Sequence, residues 1–216
     1  LSGERMNHEV QSVAINGQAC GHLGINQRRQ LGAAFVPEER MGHSAISAFS
    51  LSDNVILSRH GLRDPHDCHA LVGRCGGINY GAAKSINMRV GQQYDVRSAQ
   101  PDPEAGSLSG GNLQKFVVGR ELIKKPRVFF VAQPTWGVDI GATKFIRNAI
   151  IELANEGCGI IVISQDLEEL FELADSISVL FRGKLSERKS VKELNSQKIG
   201  LLMGGEDVAS LAKEHS

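Results

Sequence analysis

The sequence carries no excess of either charge: 24 lysines and arginines face 24 aspartates and glutamates in 216 residues. Such a balance gives no electrostatic footprint for nucleic acid or an anionic lipid surface. It also lacks any paired CxxC. The four cysteines (Cys20, Cys68, Cys75 and Cys158) are scattered, which excludes a zinc ribbon or a dithiol redox motif and suits thiols in a reducing cytoplasm. Long apolar runs are missing too. The longest, "VFFVA" and "IIVI", fall far short of the ~20 residues of a membrane span. Work at a membrane would have to pass through partners. Residues 1–20 show neither a basic start nor an apolar core, so the sequence reads as having no secretory leader.

What is present is ordinary globular composition, 41% apolar and 22% charged, enough for one large domain or two small ones. "QSVAING" (11–17) alternates and ends in Asn-Gly, predicting a strand and a tight turn. "INQRRQLG" (25–32) reads as a short polar helix closed by Gly32, and "AAFVPEE" (33–39) as a strand broken by Pro37. From Ser52 to about Gly91 the pattern is helical; Asp53 and the Asp-Pro of "DPHDCHALVGRC" mark helix starts. Beyond Leu108 the chain alternates: a helix, a strand at 127–133, a helix at 142–156, a strand at 159–164, a helix at 166–174 and a strand at 176–181. Continuous apolar strands alternating with helices predict a parallel sheet buried on both faces.

"SLSGGNLQKFVVGREL" (107–122) is the most specific stretch. Ser109, Gly110 and Gly111 open an apolar-periodic helix. A helix N-terminus exposes unpaired N–H groups, glycine lets the backbone approach an anion closely, and the serine adds a hydroxyl. "LSGGNLQK" resembles the signature motif of ATP-binding-cassette (ABC) ATPases, in the form seen in importers of sugars and nucleosides. Other motifs follow in that family's order. "RVFFVAQPT" stands where the Walker B strand belongs, "WGVDIGA" resembles the D-loop, and "IIVISQDLEEL" resembles the switch region. Upstream, "FVPEER" matches the Q-loop and "LSDNVIL" opens the helical subdomain. The likeness covers about residues 1–203.

The resemblance implies an α/β fold, a partial P-loop NTPase-like ABC cassette with a parallel sheet core. Residues 1–51 would form the first part of that core, 52–123 the helical signature subdomain, 124–205 the rest of the core, and 206–216 a polar tail. A phosphate-cradling GxxxxGK[ST] is absent. "GINYGAAKS" (77–85) has misplaced glycines, so the chain reads as starting just after its P-loop.

Where the family has an Mg²⁺-orienting aspartate and a catalytic glutamate, this sequence has Ala132 and Gln133. Gln165 replaces a histidine that contacts the γ-phosphate, and Glu38 stands at the glutamine position of the Q-loop. The expected nucleotide-binding residues are Ser109, Gly110, Gly111, Asn112 and Gln114, with Leu108 before them. They would complete the ATP site of a partner cassette. Asp139 would link the two sites, and ATP and Mg²⁺ would be held mainly by that partner and the missing Walker A. The implied whole is an import ATPase at the inner face of the membrane. It would work with transmembrane permeases and an extracytoplasmic solute-binding protein, and without nucleic acid. Two rivals stay open: an autonomous non-catalytic interaction module, and a soluble ABC ATPase acting on nucleic acid or in translation.

Three smaller features read blandly. His66, Cys68, His69 and Cys75 are taken as polar positions of the helical subdomain rather than a metal site. "QRR" (27–29) with Arg40 is taken as a solvated face. Trp136 is either an interface residue or a surface aromatic.

Overall fold

The computed structural model describes residues 2–59, 71 and 77–205, and its packing divides into two units, 1–163 and 164–216. In the first unit Asn16 and Gly17, both at positive φ (52° and 74°), close a hairpin between β1 (Ala14–Ile15) and β2 (Gln18–Ala19). The predicted strand is thus shortened, because Val10–Ser12 forms a 3-10 turn. Helix α1 (Ile25–Gln30) leads into β3 (Ala33–Val36), which stops before Pro37. "QRR" is not a solvated face: Arg28 is buried and donates to the carbonyls of Leu23 and Gly21, both at 2.9 Å.

Helices α2 (Leu51–Arg59) and α3 (Tyr80–Gln93) pack on each other, and Asn79 caps α3 at Ala82 N–H. The His66–Cys75 cluster and the "DPHDCHALVGRC" helix lie outside the described residues. Among those described, no cluster of metal-ligating side chains occurs, and no helix is long and apolar enough to cross a membrane. Then come α4 (Gly110–Leu122), β4 (Val128–Ala132), α5 (Ile140–Asn155) and β5 (Gly159–Ile163).

The sheet is parallel, in the order β3-β4-β5, with Phe35 beside Phe130 and Phe130 beside Ile161. Phe35 and Phe130 stack at 5.1 Å and join Ile15, Cys20 and Ala33 in one core cluster. Helix α4 packs against β3 and α5. Burial on both faces holds for β3 and most of β4 but not for β5. Gly159, Ile161 and Ile163 are exposed on one side of that strand. Five alternating residues at a sheet edge need only one covered face, so apolar content alone overstates burial.

In the second unit Asp166 caps α6 (Leu167–Leu173) through Glu168 N–H at 2.9 Å. The strand expected at 176–181 is broken in two, β6 (Ser176–Ile177) and β7 (Leu180–Phe181). They do not extend a parallel sheet. β7 forms a hairpin with β8 (Lys184–Leu185) around Arg182-Gly183, and β6 pairs antiparallel with β9 (Lys189–Ser190). Helix α7 (Ser196–Gly204) closes the unit over Ile177, Val179, Leu194 and Ile199.

Candidate functional site

The signature turn is built by capping. Ser109 sits in extended backbone as the N-cap of α4, and its Oγ accepts from Asn112 Nδ2 at 3.0 Å and from Asn112 N–H at 3.4 Å. Asn112 is fixed from the other side, where its Oδ1 accepts the Arg97 N–H at 2.9 Å. Ser109 and Gly110 are exposed, Asn112 is half-buried and Gly111 is buried. Ser109 and Asn112 border an open groove of about 510 Å³ lined also by Arg97, Gln100, Glu104 and Ser107. Donors at the start of a thirteen-residue helix, with no Cβ at Gly110, fit a phosphate group.

The end of β4 is a tight turn without a charged side chain. Gln133 is 7% exposed and holds a left-handed φ of 49°, a conformation that costs a non-glycine residue of order 1 kcal/mol. Its N–H donates to the Ile163 carbonyl at 2.7 Å, and its own carbonyl accepts the Trp136 N–H at 3.2 Å. Divalent magnesium asks for carboxylate oxygens. A methyl and a neutral amide do not supply them, so Mg²⁺ does not fit this end of β4.

Past the turn, Trp136 is 67% exposed, and Asp139 caps α5 through Ala142 N–H at 2.9 Å. That hydrogen bond holds the Asp139 carboxyl below its ordinary range. Glu38 is exposed on the loop after β3. Gln165, exposed, precedes α6 in the second unit.

Gln114 takes a different place from the other signature residues. It is 1% exposed, and its Nε2 donates to the Pro134 carbonyl at 2.8 Å. The structure therefore brings Gln114 to the loop after β4, while Ser109 and Gly110 face outward.

Two features escaped sequence reasoning. Arg40 is half-buried rather than solvated. Its guanidinium lies where a Cβ on Gly110 would be 3.3 Å from Nη1 and a Cβ on Gly137 would be 3.5 Å from Nη2. Burial lowers its pKa. The other feature is a buried ionic group at the far end of α4. Arg120 donates to the carbonyls of Asn54 and Ser44 (2.9 Å each). Lys124 donates to the Ser58 carbonyl at 2.9 Å and to Glu121 Oε2 at 2.6 Å. Burial pushes the Glu121 carboxyl up, but Lys124, Arg120 and Arg29 outweigh it and bring it down to about 2. No local pattern announces either feature; a charged residue within an apolar helical stripe, such as Glu121, was the available signal.

Comparison with known proteins agrees with the resemblance read from the sequence. No family model matches the chain. The guanosine import ATP-binding protein NupO of Bacillus subtilis is 31% identical over 194 residues, covering 90% of this chain and 37% of that protein. The glucose import ATP-binding protein TsgD13 of Haloferax volcanii is 33% identical over 84% of this chain and 32% of its own length. The ribose import ATP-binding protein RbsA of Halalkalibacterium halodurans is 32% identical over 87% and 36%.

Among solved structures, a dimeric ATP-binding cassette in a post-hydrolysis state with ADP and Pi superposes with a TM-score of 0.64 at 16% identity. That match covers 82% of this chain and 72% of the cassette. An ATP-binding subunit of an ABC transporter gives 0.64 at 15% identity over 93% and 74%. The fold is thus that of an ABC ATPase cassette. More narrowly, the chain is similar in sequence to sugar and nucleoside import ATP-binding proteins, and it spans about a third of the length of these relatives.

Proposed function

We propose that this chain is part of the ATP-binding subunit of an ABC importer for simple sugars or nucleosides. In this reading it is a catalytically degenerate cassette that lends its signature to the ATP site of a second cassette, in the same polypeptide or a dimer. One observation carries the reading. Ser109 to Asn112 form an intact helix start with Ser109 and Gly110 facing outward, whereas β4 ends in Ala132 and Gln133 with no carboxylate.

The chemistry follows from those two ends. Bound ATP would supply a phosphate chain, and the signature would meet it with the Ser109 hydroxyl and the first N–H groups of α4. Such fixed donors act where charge develops in phosphoryl transfer, which depends mostly on positioning and electrostatics. Gln133 hydrogen-bonds water but takes no proton from it, and losing a general base costs ~10²–10⁴-fold in rate. ATP and Mg²⁺ would be held by a Walker A motif, which this sequence does not contain, and by the partner cassette. Permeases and an extracytoplasmic solute-binding protein would complete an assembly at the inner face of the membrane. The solute would be chosen by those partners.

The test is ATP hydrolysis by the intact gene product assembled with its transport partners. Ser109→Ala is expected to lower the rate by ~10²–10³-fold, the usual effect of removing one such donor. The chain alone is expected to hydrolyse no ATP above a buffer blank. A Ser109→Ala assembly running at the unmodified rate would sink the reading.

A further inference from the structure

Both signature glycines have close neighbours inside this chain, and Gly111 already has a reason to be glycine. A Cβ at Gly111 would lie 2.7 Å from Asp139 Oδ2 and 3.3 Å from the Ala142 Cβ. Asp139 is not free to swing aside, because its Oδ1 holds the Ala142 N–H at 2.9 Å. A Cβ at Gly110 would lie 3.3 Å from Arg40 Nη1 and 3.5 Å from the Gly137 carbonyl. One turn along α4, the buried Gln114 amide donates to the Pro134 carbonyl at 2.8 Å, while its Oε1 meets no donor. Arg40, Gln114 and Asp139 thus reach the same two segments, the signature turn and the loop from Pro134 to Asp139.

We propose that Arg40, Gln114 and Asp139 are positioning residues that clamp the signature turn onto the loop following β4 of its own chain. This rests on the functional reading above and deepens it. The loop that lost its catalytic carboxylates is retained as the support for the signature that the partner's nucleotide meets. Its left-handed Gln133 fits that role. The turn is held in a costly conformation whose outcome is the placement of Pro134, the acceptor for Gln114.

Arg40 is suited to its place by shape. A guanidinium fork reaches two glycines at once, one with each terminal nitrogen, where a lysine ammonium presents a single strongly hydrated point. The described residues give its side chain no hydrogen-bond or ion-pair partner, so packing of the fork is its contribution. Gln114 supplies direction through one buried hydrogen bond. Asp139 sets the closest approach, since only a residue without a Cβ passes its carboxylate.

A rescue experiment on the intact, assembled gene product tests the clamp, with ATP as the probe and kcat and KM measured separately. Gly111→Ala is expected to displace the turn and lower kcat/KM by up to ~10²-fold, the scale set by misplacements near 1 Å. Asp139→Ser shortens the obstacle yet can still cap α5, so the double variant Gly111→Ala/Asp139→Ser is expected to recover at least tenfold of that loss.

Arg40→Ala is expected to raise KM for ATP several-fold, and Arg40→Lys is expected not to restore it. Melting temperatures within a few degrees of the unmodified protein confirm folding. Hydrogen exchange of the amides at 110–112 should quicken in Arg40→Ala without nucleotide. A double variant as impaired as Gly111→Ala, beside a Ser109→Ala that is also impaired, overturns the clamp and leaves the functional reading standing. A harmless Ser109→Ala overturns that reading, and the clamp's role with it. Unchanged amide exchange in Arg40→Ala overturns the clamp without touching the functional reading.

Discussion

The two ends of α4 are built on opposite plans. At its start, uncharged residues (Ser109 and Gly110 exposed, Asn112 half-buried) are held by light hydrogen bonds. At its finish, Arg120, Glu121 and Lys124 are buried and fastened to backbone carbonyls at Ser44, Asn54 and Ser58. The difference teaches where each property of the helix resides. The finish fixes α4 to α2 and to the segment after β3. The start keeps Ser109 and Gly110 facing outward, where their donors stay accessible. Charges that cost much to bury are placed where rigidity is wanted, and the neutral, adaptable groups where a ligand would come.

The comparison can be broken most directly at Glu121. Glu121→Ala strands two buried cations and is expected to destabilise the chain by about 3–5 kcal/mol in chemical denaturation, the range for breaking a buried pair. A loss under ~1 kcal/mol would show that the finish is no anchor.

Next comes acid. The Glu121 carboxyl sits at about 2 in the folded chain against an ordinary 4.5, so the folded state binds its proton less readily than the unfolded. Its contribution is fully present above about pH 4.5 and is lost as pH falls toward 2. Glu121→Gln should flatten the stability profile over that window.

Ser109→Ala removes a cap worth about 1 kcal/mol. It sharpens the contrast, since a small stability change is expected beside the largest functional one. The smallest effect is expected at Asp95, which pairs with Lys115 at 2.9 Å while 45% exposed. Asp95→Asn should shift stability by under ~1 kcal/mol, within what half-exposed pairs contribute. An Asp95 effect equal to that of Glu121 would mean that burial is not what separates the two groups of charges.

Much of this was legible in the sequence because local rules acted alone. The Asn16-Gly17 hairpin, the stop of β3 before Pro37 and the helix start at Ser109 each follow from residues within four positions. Beyond that range legibility fell. Arg28 and Arg40 look like surface charges until the fold supplies Gly21, Leu23, Gly110 and Gly137 from elsewhere in the chain. Leu180 and Phe181 look like the end of one apolar strand. The turn at Arg182-Gly183 instead folds them into a hairpin. β5 was over-buried in anticipation because an edge strand and a central strand share one composition. Gln114 sits inside a signature, yet its burial against Pro134 depends on a residue twenty positions away.

The bare side of β5 has a practical meaning for anyone handling this chain. Ile161 and Ile163 are 42% and 54% exposed on a strand that, among the described residues, pairs only with β4, so an unpaired sheet edge lies beside an oily stripe. Two molecules that meet there satisfy both at once. Light scattering should rise steeply with protein concentration. An aspartate or lysine in place of Ile163 should keep solutions clear at concentrations where the unmodified chain clouds.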